Sequence, residues 1–165
     1  MNWYLIHTKP RQERNALLNL EQQGYSCYLP MLYREKIQHK TLSIIEEPLF
    51  PRYLFIQLDT SLSARSWGPI RSTKGVSRLV SFGTEPAKID PDLIDLIRTQ
   101  QSKTQQNPES FFKLGEQVMV LDGPFRGVEA IYQTTDGEGR VVILMELLSK
   151  PVQLKLMPSH LRKIS

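Results

Sequence analysis

His7, His39, His160 and the single cysteine, Cys27, are the side chains of this 165-residue chain best able to do chemistry. A metal centre needs His, Cys, Asp or Glu grouped at ligand spacing, and a nucleophile needs a base beside it. The histidines are scattered, with no carboxylate or cysteine at ligand spacing from any of them. Neither a nucleophile-elbow serine, a phosphate-binding glycine loop nor a dinucleotide fingerprint occurs. Glu46 and Glu47 are adjacent, so a strand sends them to opposite faces and they cannot work as a pair. Cys27 lies among apolar and aromatic residues, the setting of a buried, inert thiol. The sequence therefore predicts no catalytic residue, no metal and no cofactor: the chain is not expected to be an enzyme.

Binding chemistry is better represented. Lys9, Arg11 and Arg14 gather at the start of a helical pattern. Arg71 and Lys74 flank Ser72 and Thr73 in the loop-like stretch "PIRSTKG". Cations and hydroxyls beside a helix start suit phosphates. In "EPLFPRYLFIQL" (47–58), Pro51 fixes the entry to a strand in which Tyr53 and Phe55 share a side. If Leu54 and Ile56 face the core, the aromatics face outward and mark a partner surface. The same pattern also fits a strand buried on both faces.

The elements that must position these residues divide at one change of composition. "TQQSKTQQNPES" (99–110) contains no apolar residue, and its core, 101–110, reads as a flexible linker between a domain of residues 1–100 and one of residues 111–165. In the first, "WYLIHT" is a strand and "RQERNALLNLEQQG" (11–24) a helix ending at Gly24. Residues 25–31, 33–38, 42–47, 53–58 and 76–80 read as further strands. Asp90 as N-cap and Pro91 at the first position open a second helix. Strands with so few helices predict an α+β fold with helices on a mainly antiparallel sheet.

In the second domain, residues 117–121, 128–133, 140–147, 152–156 and 161–164 read as short strands, with "TDGEG" as a turn. Five short strands in so small a domain bury a core by curling into a barrel. The formal net charge of +4 is neutral evidence on nucleic acid. No apolar run approaches the ~20 residues that span a bilayer. No signal peptide is recognised, and one cysteine fits a reducing cytoplasm.

"WYLIHTKPRQE", "PLFPRYLFIQL", "STKGVSRLVSFG" and "LGEQVMVLDGPFRGVEAIY" together resemble the NusG family of transcription elongation factors, and within it most the specialised RfaH branch. The first three segments match the amino-terminal NusG domain, and the fourth matches the KOW motif, with Gly123, Phe125 and Gly127. The resemblance implies an SH3-like five-stranded β-barrel for residues 111–165, with the autoinhibited α-helical hairpin of RfaH as the alternative. It implies that Pro51, Arg52, Tyr53, Phe55 and Phe82 form the patch that binds the clamp helices of the RNA polymerase β′ subunit. Lys9, Arg11, Gln12, Thr73 and Lys74 then face the non-template DNA strand. It further implies contact with the β gate loop and a monomer that suppresses pausing and termination. Ribosomal protein S ten and Rho are the partners it offers the KOW domain. General NusG proteins usually have glycine where Arg52 stands. Asn15, Asn19 and Gln22 replace basic or histidine side chains of the enterobacterial pattern, and Ser66-Trp67-Gly68-Pro69 replaces the gate-loop motif.

Two alternatives compete. A general NusG-type factor shares the clamp patch but keeps its KOW domain a barrel. A ribosome-associated RNA-binding KOW protein needs a basic barrel, whereas residues 111–165 hold seven Lys or Arg against six Asp or Glu.

Overall fold

Tyr4, Leu5 and Ile6 are consecutive, large and apolar, and a strand sends them alternately to two faces; all are buried, so this strand needs cover on both sides. It is β1 (Asn2–Thr8), inner strand of an antiparallel sheet in a computed structural model that describes residues 2–59, 67–106, 118–120, 124–149 and 161–163. The chain separates into two units: residues 1–30 with 50–91, and residues 31–49 with 92–165.

In the first unit the strand order is β2 (Ser26–Tyr28), β5 (Tyr53–Leu58), β1, β6 (Val76–Leu79), with β9 (Lys88–Ile89) also on β1. β1 and β5 run antiparallel with His7 opposite Tyr53 and Leu5 opposite Phe55. Helix α1 (Glu13–Gln22) packs on β2 and β5 and buries Ala16 and Leu20. It stops before Gly24, whose φ of 95° only glycine adopts without strain. A short helix, α2 (Trp67–Arg71), and the small strands β7 (Ser81–Phe82) and β8 (Glu85–Pro86) complete the unit.

The second unit contains the two-stranded ribbon β3 (Met31–Gln38) and β4 (Thr41–Pro48), and helix α3 (Pro91–Gln106), whose first residue is counted with the other unit. It also contains β10 (Val118–Val120), α4 (Pro124–Gln133), α5 (Gly137–Ser149) and β11 (Leu161–Lys163). Leu93, Ile94 and Ile97 of α3 recur at helical spacing and are buried, as are Val128, Ile131 and Tyr132 of α4 and Leu144 of α5.

The α+β class expected from the pattern is the one observed. The expected barrel is corrected: residues 128–133 and 140–147 are helical and form the alternative, a helical hairpin. Proline explains how. Pro124 stands at the first position of α4, where its missing N–H is no loss. α5 ends at Ser149, before Pro151. The outer runs do pair as strands, Val118 with Lys163 and Val120 with Leu161. Residues 152–156 lie outside the described residues. The linker is also corrected in part: α3 continues through Gln106, so residues 101–106 are helical, and residues 107–110 are not among those described. Leu93, Ile94 and Ile97 anchor the start of this helix, and Gln, Ser, Lys and Thr carry only small helix penalties, so it continues.

Candidate functional site

The aromatic patch is built where the chain enters β5. Tyr53 N–H donates to Phe50 O at 3.0 Å, and Thr8 N–H donates to Arg52 O at 2.8 Å. This turn holds Arg52 at a φ of 74°, the left-handed region that favours the glycine usual in general NusG proteins. Arg52 Nε reaches Thr8 O at 3.5 Å. Tyr53 is half-buried and its ring lies 4.9 Å from that of His7 across the strand pair. Burial lowers the His7 pKa from its ordinary value, and Arg52 and Arg78 lower it further.

Phe55 departs from the outward placing that the resemblance favours. It is fully buried, with Tyr28 stacked at 6.2 Å and Phe50 edge-on at 6.1 Å. Leu54 and Ile56, which point the other way, are equally buried, so β5 takes the two-faced form that the pattern left open. Pro51 is half-buried and Arg52 exposed. Phe82 on β7 is 44% exposed, the one large apolar side chain of this group open to water.

The basic group assembles at the start of α1. Lys9 N–H donates to Gly75 O at 2.9 Å, and Gln12 N–H to Lys9 O at 3.0 Å. Gly75, at φ 95°, lies so close to α1 that a Cβ there would stand 3.0 Å from Ala16 N. Asn19 Nδ2 donates to Lys74 O at 3.0 Å, which ties the loop to the helix again. Lys9, Arg11 and Lys74 are exposed, and the Arg11 φ of 61° marks a tight turn. Gln12 Oε1 accepts from Asn15 Nδ2 at 2.8 Å. Thr73 differs from its neighbours. It is buried, and its hydroxyl donates to Pro69 O at 2.7 Å and accepts from Gln23 Nε2 at 2.7 Å.

Of the KOW positions, Gly123 lies outside the described residues and Phe125 is in α4. Gly127, also in α4, is a notch: a Cβ there would stand 2.5 Å from Leu147 Cδ1 and Cδ2 of α5. The motif glycine therefore has a packing role in the helical form.

Sequence reasoning missed Arg140. Its side chain is 1% exposed and is held by four acceptors. Nε donates to Leu49 O at 2.8 Å, Nη1 to Thr134 O at 3.0 Å and Thr135 O at 2.9 Å, and Nη2 reaches Glu47 Oε1 at 3.4 Å. Burial pushes its pKa down while Glu47 raises it. Glu47 also pairs with Arg34 at 3.2 Å. The one available sign was an arginine opening an apolar run, "RVVILMELL", just after a turn.

His39 occupies the β3–β4 turn at φ 51°, and His160 is outside the described residues. Among the described residues no group of His, Cys, Asp and Glu could hold a metal, and no helix is long and apolar enough to cross a membrane. Cys27 is pushed up to about 12, first by burial and then by Glu21.

Residues 1–98 match the family described as NusG, transcription termination factor nusG. The transcription termination/antitermination protein NusG of Thermus thermophilus is 25% identical over 174 residues, spanning 94% of this chain and 95% of that protein. Its Bacillus subtilis counterpart is 24% identical over 169 residues, spanning 93% and 94%. A solved structure described as "Domain interaction in Thermotoga maritima NusG" aligns over 75% of this chain and 74% of that one, with a TM-score of 0.46 and 22% identity. With the match running from residue 1 to residue 98 of 165, this chain belongs to the NusG family of transcription factors.

Proposed function

We propose that this chain is an RfaH-like elongation and antitermination factor. The NusG family binds RNA polymerase and works by binding rather than by catalysis. The observation that carries the finer reading is the helical hairpin α4–α5 in place of the barrel strands of residues 128–133 and 140–147. A hairpin in the KOW region is the expectation that separates the RfaH branch from general NusG proteins. Arg52 in the left-handed turn, where the latter usually carry glycine, points the same way.

In this reading residues 1–100 form the polymerase-binding domain and residues 111–165 the KOW domain. Tyr53, with Pro51, Arg52 and Phe82, meets the β′ clamp helices, while Phe55 stays buried against Tyr28 and Phe50. Lys9, Arg11, Gln12 and Lys74 contact the non-template strand, while Thr73 holds their loop on α1. The RfaH precedent adds that the hairpin covers the clamp patch until recruitment, then refolds as a barrel that takes partners such as ribosomal protein S ten. A factor that prefers the closed, elongating polymerase over the opened, paused one shifts the population toward elongation; ~1.4 kcal/mol of preference changes the ratio tenfold.

Far-UV circular dichroism of the full chain and of a 111–165 fragment tests this. Helix beyond that of α1, α2 and α3 is expected in the full chain and is absent from a β-rich fragment. Equal secondary structure in both contexts refutes the RfaH reading. The second reading is a general NusG factor, favoured by the name NusG on both relatives above; it expects barrel strands in both contexts.

A further inference from the structure

Two arginines share one oxygen of Glu47. Arg34 Nε stands 3.2 Å from Glu47 Oε1, and Arg140 Nη2 stands 3.4 Å from the same atom. The first pair is internal to the β3–β4 ribbon. Arg34 lies opposite Ile45, and Glu47 follows two residues on, so the two are diagonal neighbours on one face. The second pair joins that ribbon to α5, 93 residues further along the chain. Exposure separates the two cations as well: the Arg34 side chain is 45% exposed and that of Arg140 1%. Water solvates the first, whereas the second depends on the protein for its partners.

We propose that Arg34 is a release residue, which competes with Arg140 for Glu47 and so loosens the hold of the β3–β4 ribbon on the α4–α5 hairpin. Two effects act in the same direction. With the hairpin in place, two like charges meet at one carboxylate oxygen, their nitrogens no further apart than the two contact distances together. One carboxylate neutralises one cation, and the repulsion between the pair remains. Burial lowers the Arg140 pKa most, Glu47 opposes that, and Arg34 adds to the lowering, which is the sign expected of this repulsion. With the hairpin gone, Arg34 stays beside Glu47, because the register of the ribbon itself puts it there. The carboxylate is left paired, which removes part of the penalty for breaking its contact with Arg140.

Arg34 thus disfavours the closed arrangement and favours the open one. A group shifts a two-state equilibrium by the difference between its interactions in the two states, and here both differences have the same sign. Arg34 therefore sets how readily the hairpin lets go, while Arg140 and its carbonyl acceptors supply the hold. The consequence for recruitment to polymerase rests on the RfaH-like reading; the effect on the hairpin does not.

Amide exchange of the full chain tests it, read over residues 124–149 with β1 as an internal reference. Arg34→Gln keeps a polar side chain at an exposed strand position and removes the charge, with the fold checked by circular dichroism. Protection of residues 124–149 is expected to rise about two- to fivefold, the range for partly exposed charge pairs, with β1 unchanged. Arg34→Lys keeps the charge and should leave protection near the native value. Unchanged protection in Arg34→Gln overturns the proposal, and reduced protection overturns it by making Arg34 a support that orients Glu47 for Arg140. An equal rise in Arg34→Lys overturns it too, since the charge is then not the cause. A rise confined to Arg34→Gln, in a chain whose 111–165 fragment has the same secondary structure as the full chain, sustains the role of Arg34 and refutes the RfaH-like reading, so the two stand or fall separately.

Discussion

Replacing Arg140 by methionine should release the helical hairpin. Methionine keeps the length and the apolar stem but offers no donor. Three carbonyl oxygens, of Leu49, Thr134 and Thr135, then lose their partner, and the Glu47 carboxylate loses one of its two cations. A buried acceptor left without a donor costs about 1–3 kcal/mol. The Leu49 bond is the fully buried one, whereas Thr135 is exposed and water replaces the guanidinium there. Breaking a buried charged network by removing one partner costs about 3–5 kcal/mol, and we take that as the range. It is a large fraction of the ~5–15 kcal/mol that holds a domain together. Glu47→Gln should cost less, about 1–3 kcal/mol: it keeps an acceptor and is partly solvated, but it removes the charge that faces Arg140 at 3.4 Å and Arg34 at 3.2 Å. Thermal melts followed by circular dichroism, with amide exchange over residues 124–149, measure both. Native helix content and amide protection in Arg140→Met would show that the hairpin does not depend on this cation.

Gly127→Ala should destabilise the hairpin by about 1–3 kcal/mol despite alanine's better helix propensity, because its Cβ meets Leu147; in a double-mutant cycle Leu147→Ala should recover most of the loss. Cys27, shifted from 9.0 to about 12, carries roughly 10³-fold less thiolate than a free cysteine, so alkylation of the native protein should be slower by about that factor and should recover on unfolding. His7 is held neutral by burial with Arg52 and Arg78 alongside; its lowered pKa means stability is complete above the ordinary value of ~6.5 and falls as pH drops through the lowered one, a dependence that His7→Gln should flatten in melts between pH ~5 and ~7. Tyr53→Ala should weaken polymerase binding by over ~2 kcal/mol with a modest change in melting, whereas Phe55→Ala should cost about 3–5 kcal/mol of stability and is no clean test of the interface.

The first unit was legible because its signals are local. β-branched and aromatic residues mark β1 and β5, and Gly24 ends α1. α2 was not, since Trp67-Gly68-Pro69 reads as a loop and the helix is a short turn. The fate of Phe55 was hidden for a different reason. Period-two alternation says which residues share a face, and it does not say whether that face is covered. Thr73 shows the same limit on the basic group: a hydroxyl beside lysines suits phosphate, and only the packing of the loop on α1 reveals that Pro69 and Gln23 occupy it.

Residues 124–149 were misread at sequence level because their local preferences nearly cancel. Val141, Val142 and Ile143 favour strand, while Leu144, Leu147 and Leu148 follow a helical period. Gly127 costs about 1 kcal/mol inside a helix, and Pro124 costs little at its first position. When local terms balance to this degree, contacts distant in sequence decide the outcome. Arg140 supplies them, reaching Leu49 and Glu47 from the far end of the chain. Tyr132 adds another by donating from its hydroxyl to Ile97 O at 3.3 Å. Both contacts join residues 124–149 to segments outside 111–165, so an isolated 111–165 fragment lacks them and keeps only its local preferences. Dependence of the helical form on Arg140 and Tyr132 is therefore the physical basis for expecting the fragment and the full chain to differ, and a Tyr132→Phe variant of the full chain should move toward the fragment's spectrum by a smaller step than Arg140→Met.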